Sequence, residues 1–370
     1  MTADLAGVRV LQVIGRATGA TTSDPGRHVR VLADALVARG AQVTVCAPQH
    51  VGETFGFAAG GARFDLVVIG ARPTVGDRAA VARIRAWARH ADVVHAHGER
   101  AGALAALGCP PRVPLVLTRH APADTHGPMG AVRMTLGHVT ARRANLVCCV
   151  SSDLVASAEA QGARKTALVS LSAPPSEPAI RAPEEVRGWF DLGDRPLVVT
   201  AAPLDIQHGY PVLVEAATLL ADRPEPPLIV AAGDGPDLFA VAALVRDRAA
   251  PVRILGHRDD IVDLLGAADV AVLASRWEAS PPFLHDALRA GVPFVGTDAG
   301  GIADLARGAA LLVPYGDPAA LAHAIARVLD EPSLAARLHR RCATAAAALP
   351  TNESVVEQVV GIYAGLGVAR

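Results

Sequence analysis

Short unbroken apolar runs recur along the whole chain, and stretches with apolar residues three or four apart fill the gaps between them. Runs without alternation mark strands buried on both faces, as in parallel sheets, while the 3.6-residue spacing marks helices packed against them. Residues 8–14 form the first run. A Gly/Thr-rich loop at 15–26, a helix over about 28–39 stopped by Gly40 and a strand at 42–47 complete a βαβ unit. Further strands are expected at 66–69, 93–95, 115–118 and 146–150, with helices at 78–89 and 100–107 among them. Pro174, Pro175, Pro178 and Pro183 then punctuate a stretch that reads as a linker. A second series follows, with strands at 197–201, 228–231, 252–255, 270–273, 294–297 and 310–313, helices such as 211–220 and 318–329, and a closing helix near 353–365. The alternation predicts an α/β protein of two Rossmann-like domains facing a cleft. The expected boundaries are 1–172, a linker at 173–183, 184–348 and a terminal helical segment at 349–370.

Composition narrows the function classes. The chain has 370 residues, 51% of them hydrophobic, and a formal net charge of −1, so no general field recruits nucleic acid. Lys165 is the only lysine, which leaves 35 − 1 = 34 arginines. The five cysteines show no CxxC spacing and read as core thiols. No apolar run reaches the ~18 residues of a spanning helix, and the start of the chain lacks a basic-then-apolar pattern. A cytoplasmic protein is the expectation.

The densest chemistry lies between Arg276 and Leu288. An apolar run ends at Ser275; Glu278 follows on the loop and Asp286 comes eight positions later, where the pattern opens a helix closed by Gly291. Ligands of open α/β sheets bind at loops leaving the carboxyl ends of strands. The backbone amides of Ala279, Ser280 and Phe283 fall at the helix start, a natural anion site, although Pro281 and Pro282 contribute no N–H. His95 and His97 alternate on one strand and point the same way, without a third metal ligand at a telling spacing. His120 follows a strand in Thr118-Arg119-His120, and Asp234 sits in the turn Gly233-Asp234-Gly235-Pro236.

These pieces, with Asp92 to Gly98, Val150-Ser151, Ala268 to Val270 and Gly300-Gly301, occur in an order that resembles the GT-B-fold retaining glycosyltransferases of the family 4 type over nearly the whole chain. The resemblance implies transfer of a hexosyl group from a nucleotide-diphosphate sugar to a hydroxyl acceptor, with retention and without a cofactor or metal. It implies that Glu278 accepts bonds from donor-sugar hydroxyls, that Asp286 grips the ribose where the family carries Glu, that His120 lies near the reacting sugar, and that Gly233 and Asp234 line the donor loop. Acceptors in such enzymes bind the N-terminal domain; a lipid-linked or phosphorylated acceptor is one alternative here, motivated by Arg133, His138, Arg142 and Arg143 in a segment that would also suit peripheral membrane contact.

The chain departs from that pattern where the donor diphosphate is held. Pro203 stands where the family has Arg, His208 where it has Lys, and Ser23-Asp24 where it has Gly-Gly. These substitutions motivate a rival expectation, a non-catalytic GT-B homologue acting as a binding or partner protein. A phosphorylase-like activity is a further alternative that no sequence feature presses.

Overall fold

The computed structural model describes residues 5–17, 25–70, 72–123 and 130–368. Ser23 and Asp24 lie outside the described residues. The chain divides into two compact units, Met1–Pro174 with Pro350–Arg370 and Pro175–Leu349.

In the first unit β1 (Arg9–Ile14), β2 (Gln42–Ala47), β3 (Arg63–Leu66), β4 (Val93–His97), β5 (Leu115–Arg119), β6 (Leu146–Cys149) and β7 (Thr166–Leu168) form a parallel seven-stranded sheet in the order β3-β2-β1-β4-β5-β6-β7. The central strands are buried on both faces, which is why their sequences run apolar without alternation. The helix Pro25–Ala38 turns Val29, Leu32, Ala33 and Leu36 onto one buried stripe. The helix Asn352–Gly365 belongs to this unit too. Thr351 caps it in a reciprocal capping box with Ser354, and it buries Val355, Val356, Val359, Val360 and Tyr363.

The strand expected at 66–69 lies earlier, at Arg63–Leu66. Charged residues at 63 and 65 conceal it in hydropathy. Asp65 is buried because its carboxylate accepts hydrogen bonds from Arg83 Nε at 2.7 Å and Trp87 Nε1 at 2.6 Å. Leu66, at the end of the strand, and Val68, just beyond it, are 50% and 70% exposed, as befits a sheet edge.

In the second unit β8 (Leu197–Ala201), β9 (Leu228–Ala232), β10 (Val252–Gly256), β11 (Val270–Leu273), β12 (Phe294–Thr297) and β13 (Ala310–Val313) form a parallel six-stranded sheet in the order β10-β9-β8-β11-β12-β13. Val198, Ile229, Val270, Val272 and Val295 of the sheet pack on Leu213, Val214, Leu321, Ile325 and Val328 of the helices. A helix not anticipated from the sequence, Pro332–Ala347, packs on this unit.

Each sheet reverses its strand order once, between β1 and β4 in the first unit and between β8 and β11 in the second. At such a switch the loops leaving the two strands part and open a crevice. At the first switch Gln12 lies on β1 and His97 ends β4, with His120 just after the neighbouring β5; residues 202–209 and 274–280 belong to the second.

Candidate functional site

In the second unit Glu278 sits on the loop after β11. Its Oε1 accepts a hydrogen bond from Ser275 Oγ at 3.1 Å and lies 3.3 Å from His208 Nε2. His208 arrives on a short helical turn after β8, capped by Asp205, whose Oδ1 accepts from the N–H groups of Gln207 and His208 and lies 2.6 Å from His208 Nδ1. One imidazole thus bridges two carboxylates. Burial opposes its protonation, but the bonds and charges of Glu278 and Asp205 outweigh that cost and raise its pKa above the ordinary value. Among the described residues Glu278 Oε2 takes no hydrogen bond. The backbone fixes the acid as well: Gly301 N donates to Glu278 O at 2.8 Å, Glu278 bridges Gly300, and Arg276 N donates to Gln207 O at 2.7 Å.

Asp286 does not open its helix. The helix spans Pro282–Ala290, which makes Asp286 its fifth residue, and no acid lies in the first turn. Its carboxylate accepts from the Ser176 hydroxyl and faces Arg289 at 3.5 Å. Burial lifts its pKa, with Ser176 and Arg289 drawing it partway back. Ala279, Ser280 and Phe283 have buried side chains; Ala279 and Ser280 precede the helix and Phe283 is its second residue. Ser280 Oγ meets His285 Nε2 at 3.0 Å, and burial pushes His285 down to about 4.

The neighbouring cations have separate fates. Arg258 makes a two-pronged contact with Asp260 and lies over the Trp189 ring. Arg276 is exposed and, among the described residues, pairs with no carboxylate. Pro203 is exposed at the mouth of β8. Asp234 is exposed as well. It accepts from Gly235 N at 2.7 Å through its side chain and from Leu204 N at 3.0 Å through its carbonyl, while Gly233 N donates to Gly256 O at 2.7 Å. This loop is therefore packed against the one that carries Pro203.

In the first unit four histidines gather at the other switch. His97 Nδ1 lies 3.2 Å from His120 Nε2, and His97 and His95 stack with centroids 4.3 Å apart. His28 meets His97 and His120 edge-on at 5.6 and 5.4 Å. Both nitrogens of His95 and of His97 are taken by other side chains. Burial drives His28 down to about 4 and His95 to about 3, and lowers His97 and His120 well below the ordinary value. His120 is 7% exposed and its Nδ1 is buried with no partner among the described residues.

Beside His97 a cavity of about 430 Å³ is lined by Arg16, Arg72, Arg133, Glu99, Val132 and Leu136, among others. Burial lifts the Glu99 pKa, opposed by Arg119, which lies 3.2 Å away. A cavity of about 810 Å³ lies instead at the amino ends of β1, β4 and β5, next to the Arg9–Asp92 pair. It is larger but sits at the wrong end of the strands for ligand chemistry. On the helix Gly130–Arg143, His138 bonds Gln161 O at 3.1 Å and Arg143 bonds Cys109 O at 2.9 Å, so part of the expected basic face is turned to neighbours. No helix among the described residues is long and apolar enough to cross a membrane.

The two histidine environments predict opposite responses to pH. His208 has a raised folded value, so its stabilisation is complete below about 6.5 and is lost as pH rises through the folded value. The four histidines of the first unit have lowered values, so they remove stability as pH falls from about 6.5 towards their folded values, each by about 1.4 kcal/mol per pH unit. His285 of the second unit is lowered too, but it is one such group against four, so acidification from about pH 7 to 5 should destabilise the first unit more and unfold it first. Hydrogen exchange resolved by unit checks this; uniform loss of protection, or loss confined to the second unit, contradicts it.

Two parallel-sheet Rossmann-like domains match the GT-B plan, and comparison with known proteins agrees. Residues 25–172 match the family described as Glycosyltransferase Family 4, and residues 195–331 match Glycosyl transferases group 1. The chain carries GT-B glycosyltransferase domains of the group 1 and family 4 type. It is 28% identical over 190 residues to the alpha-D-kanosaminyltransferase of Streptomyces kanamyceticus, covering 50% of this chain and 49% of that protein. It is also 28% identical over 135 residues to the N-acetyl-alpha-D-glucosaminyl L-malate synthase of Bacillus anthracis, covering 35% of each. The chain thus spans about half the length of the first relative and about a third of the second. Anabaena HepE in complex with UDP superposes with a TM-score of 0.76 at 18% identity, over 97% of this chain and 100% of that one.

Asp205, which holds His208, and Ser275 and Ser176, which hold the two acids, were not singled out by spacing. Asp205 alone had a local signal, an acid three residues before His208 at a turn. Ser176 is 110 residues from Asp286, and nothing in the sequence joins them.

Proposed function

We propose that the protein transfers a hexosyl group from a nucleotide-diphosphate sugar to a hydroxyl acceptor, with retention of configuration. The observation that carries this reading is Glu278 at the β8–β11 switch, with Oε1 fastened by Ser275 and His208 while Oε2 stays open to a sugar hydroxyl. Asp286 takes the ribose by exchanging its Ser176 contact for a ribose hydroxyl. His120 bonds a hydroxyl of the transferred sugar. The acceptor takes the cavity beside His97, where aliphatic side chains and arginines suit an amphipathic, anionic molecule. The leaving diphosphate removes the acceptor proton, so the charge growing on it is what the protein must stabilise.

Pro203 carries no charge, and a protonated His208 is matched by Asp205 and Glu278. Arg276, exposed beside Glu278, is the cation that replaces the missing pair. The solved Anabaena HepE neighbours hold UDP, UDP with glucose, and UDP-glucose, which makes UDP-glucose the first donor to try. Calorimetry with UDP, GDP, ADP, dTDP and their glucose or mannose conjugates tests the reading. Saturable binding of one conjugate is expected, weakened about 10- to 100-fold in Arg276→Ala, the loss of one charge-assisted contact. If the folded protein binds none of them, the non-catalytic alternative replaces this one.

A further inference from the structure

Gln12 lies on β1 with no solvent exposure, and both ends of its amide are engaged: Oε1 stands 2.7 Å from His97 Nε2 and Nε2 stands 3.2 Å from the Tyr363 hydroxyl. A neutral imidazole has one N–H and one bare nitrogen. The amide oxygen only accepts, so the His97 proton sits on Nε2 and His97 Nδ1 must accept. The proton between His97 and His120 therefore belongs to His120 Nε2, at 3.2 Å, and His120 Nδ1 is bare. On the other arm the Gln12 N–H donates to Tyr363, the phenol donates to His95 Nδ1 at 2.8 Å, and His95 Nε2 donates to Thr118 Oγ1 at 2.7 Å. One amide assigns every proton in the chain. Turning it over would reverse each donor and acceptor and place a proton on His120 Nδ1.

We propose that Gln12, anchored by Tyr363, is a positioning residue that holds His120 in the Nε2–H tautomer, so that its bare, buried Nδ1 accepts a hydrogen bond from a ligand hydroxyl. The Nδ1, without a partner among the described residues, supports this, because a buried acceptor is otherwise left unmet. The inference rests on the reading that His120 faces the transferred sugar. Tyr363 reaches the chain from the terminal helix, so that helix tunes the site through a phenol as well as through packing.

Long-range proton–nitrogen correlation of the imidazoles in the full chain tests it, with His120 assigned by His120→Asn. A single Nε2–H tautomer is expected for His120. Gln12→Met, which removes both amide groups at similar length, should lose that single form and show Nδ1–H as well. Tyr363→Phe, which removes only the hydroxyl, should show the second form to a lesser extent and decides the matter if Gln12→Met does not fold. An Nδ1–H tautomer in the unaltered protein, or a single unchanged tautomer in every folded variant, overturns the proposal. UDP-glucose calorimetry tests the underlying reading separately. An affinity unchanged by His120→Ala removes His120 from the sugar and leaves the tautomer result standing.

Discussion

Glu278→Gln should lower sugar transfer by about 10²- to 10⁴-fold while leaving the protein folded. On the proposed reading the carboxylate bonds sugar hydroxyls, and each charge-assisted bond is worth about 1.5–3 kcal/mol; two such bonds at tenfold per ~1.4 kcal/mol give that range. The fold should survive because the amide oxygen still accepts from Ser275, and the Glu278 main chain keeps its bond from Gly301. His208 reports independently. With one of its two carboxylate partners neutralised, its titration should move down, visible by NMR without any substrate. Transfer at the original kcat/KM in a variant whose His208 has shifted would remove Glu278 from the donor site.

Gly300→Ala should cost clearly more stability than the same change at Gly316, another left-handed glycine of the second unit. Gly300 has φ +67°, and a Cβ there would lie 2.1 Å from the Glu278 carbonyl oxygen and 3.0 Å from its nitrogen. The added methyl would meet backbone, so no side chain can swing aside; the Glu278 segment itself must move. Gly316 is the control, with φ +81° and nothing within 4 Å of a Cβ. Both variants pay the left-handed penalty of about 1–2 kcal/mol, and Gly300→Ala should add roughly 1–3 kcal/mol of overpacking. Urea unfolding of the two variants isolates the difference. Equal losses would mean that the Glu278 loop yields freely, and donor binding in Gly300→Ala would then be normal.

Much of the fold was readable along the chain. Parallel strands buried on both faces leave continuous apolar runs, and residues 8–14, 93–95, 115–118, 270–273 and 294–297 all fall on or overlap such strands. The strand at Arg63–Leu66 escaped because Asp65 is inward yet charged, and only Arg83 and Trp87, from a later helix, make that burial affordable. The pair Glu278 and Asp286 was visible because a loop and the helix after it lie together in sequence. Their handling was not: Asp286 is met by Ser176 and Arg289, and Glu278 by a histidine seventy residues earlier.

Local spacing thus determined two α/β sheets of parallel strands and the loops that carry Glu278 and His120, because hydrophobic periodicity and turn residues act over a few positions. The tertiary structure decided protonation and partnership. His208 and His120 are the same residue type near strand ends, yet one is raised between two carboxylates and the other lowered by burial among histidines. Gln12 and Tyr363 touch across 351 positions of chain. A pKa depends on what surrounds a group in space, and the sheet switches that create those surroundings join segments no local pattern connects.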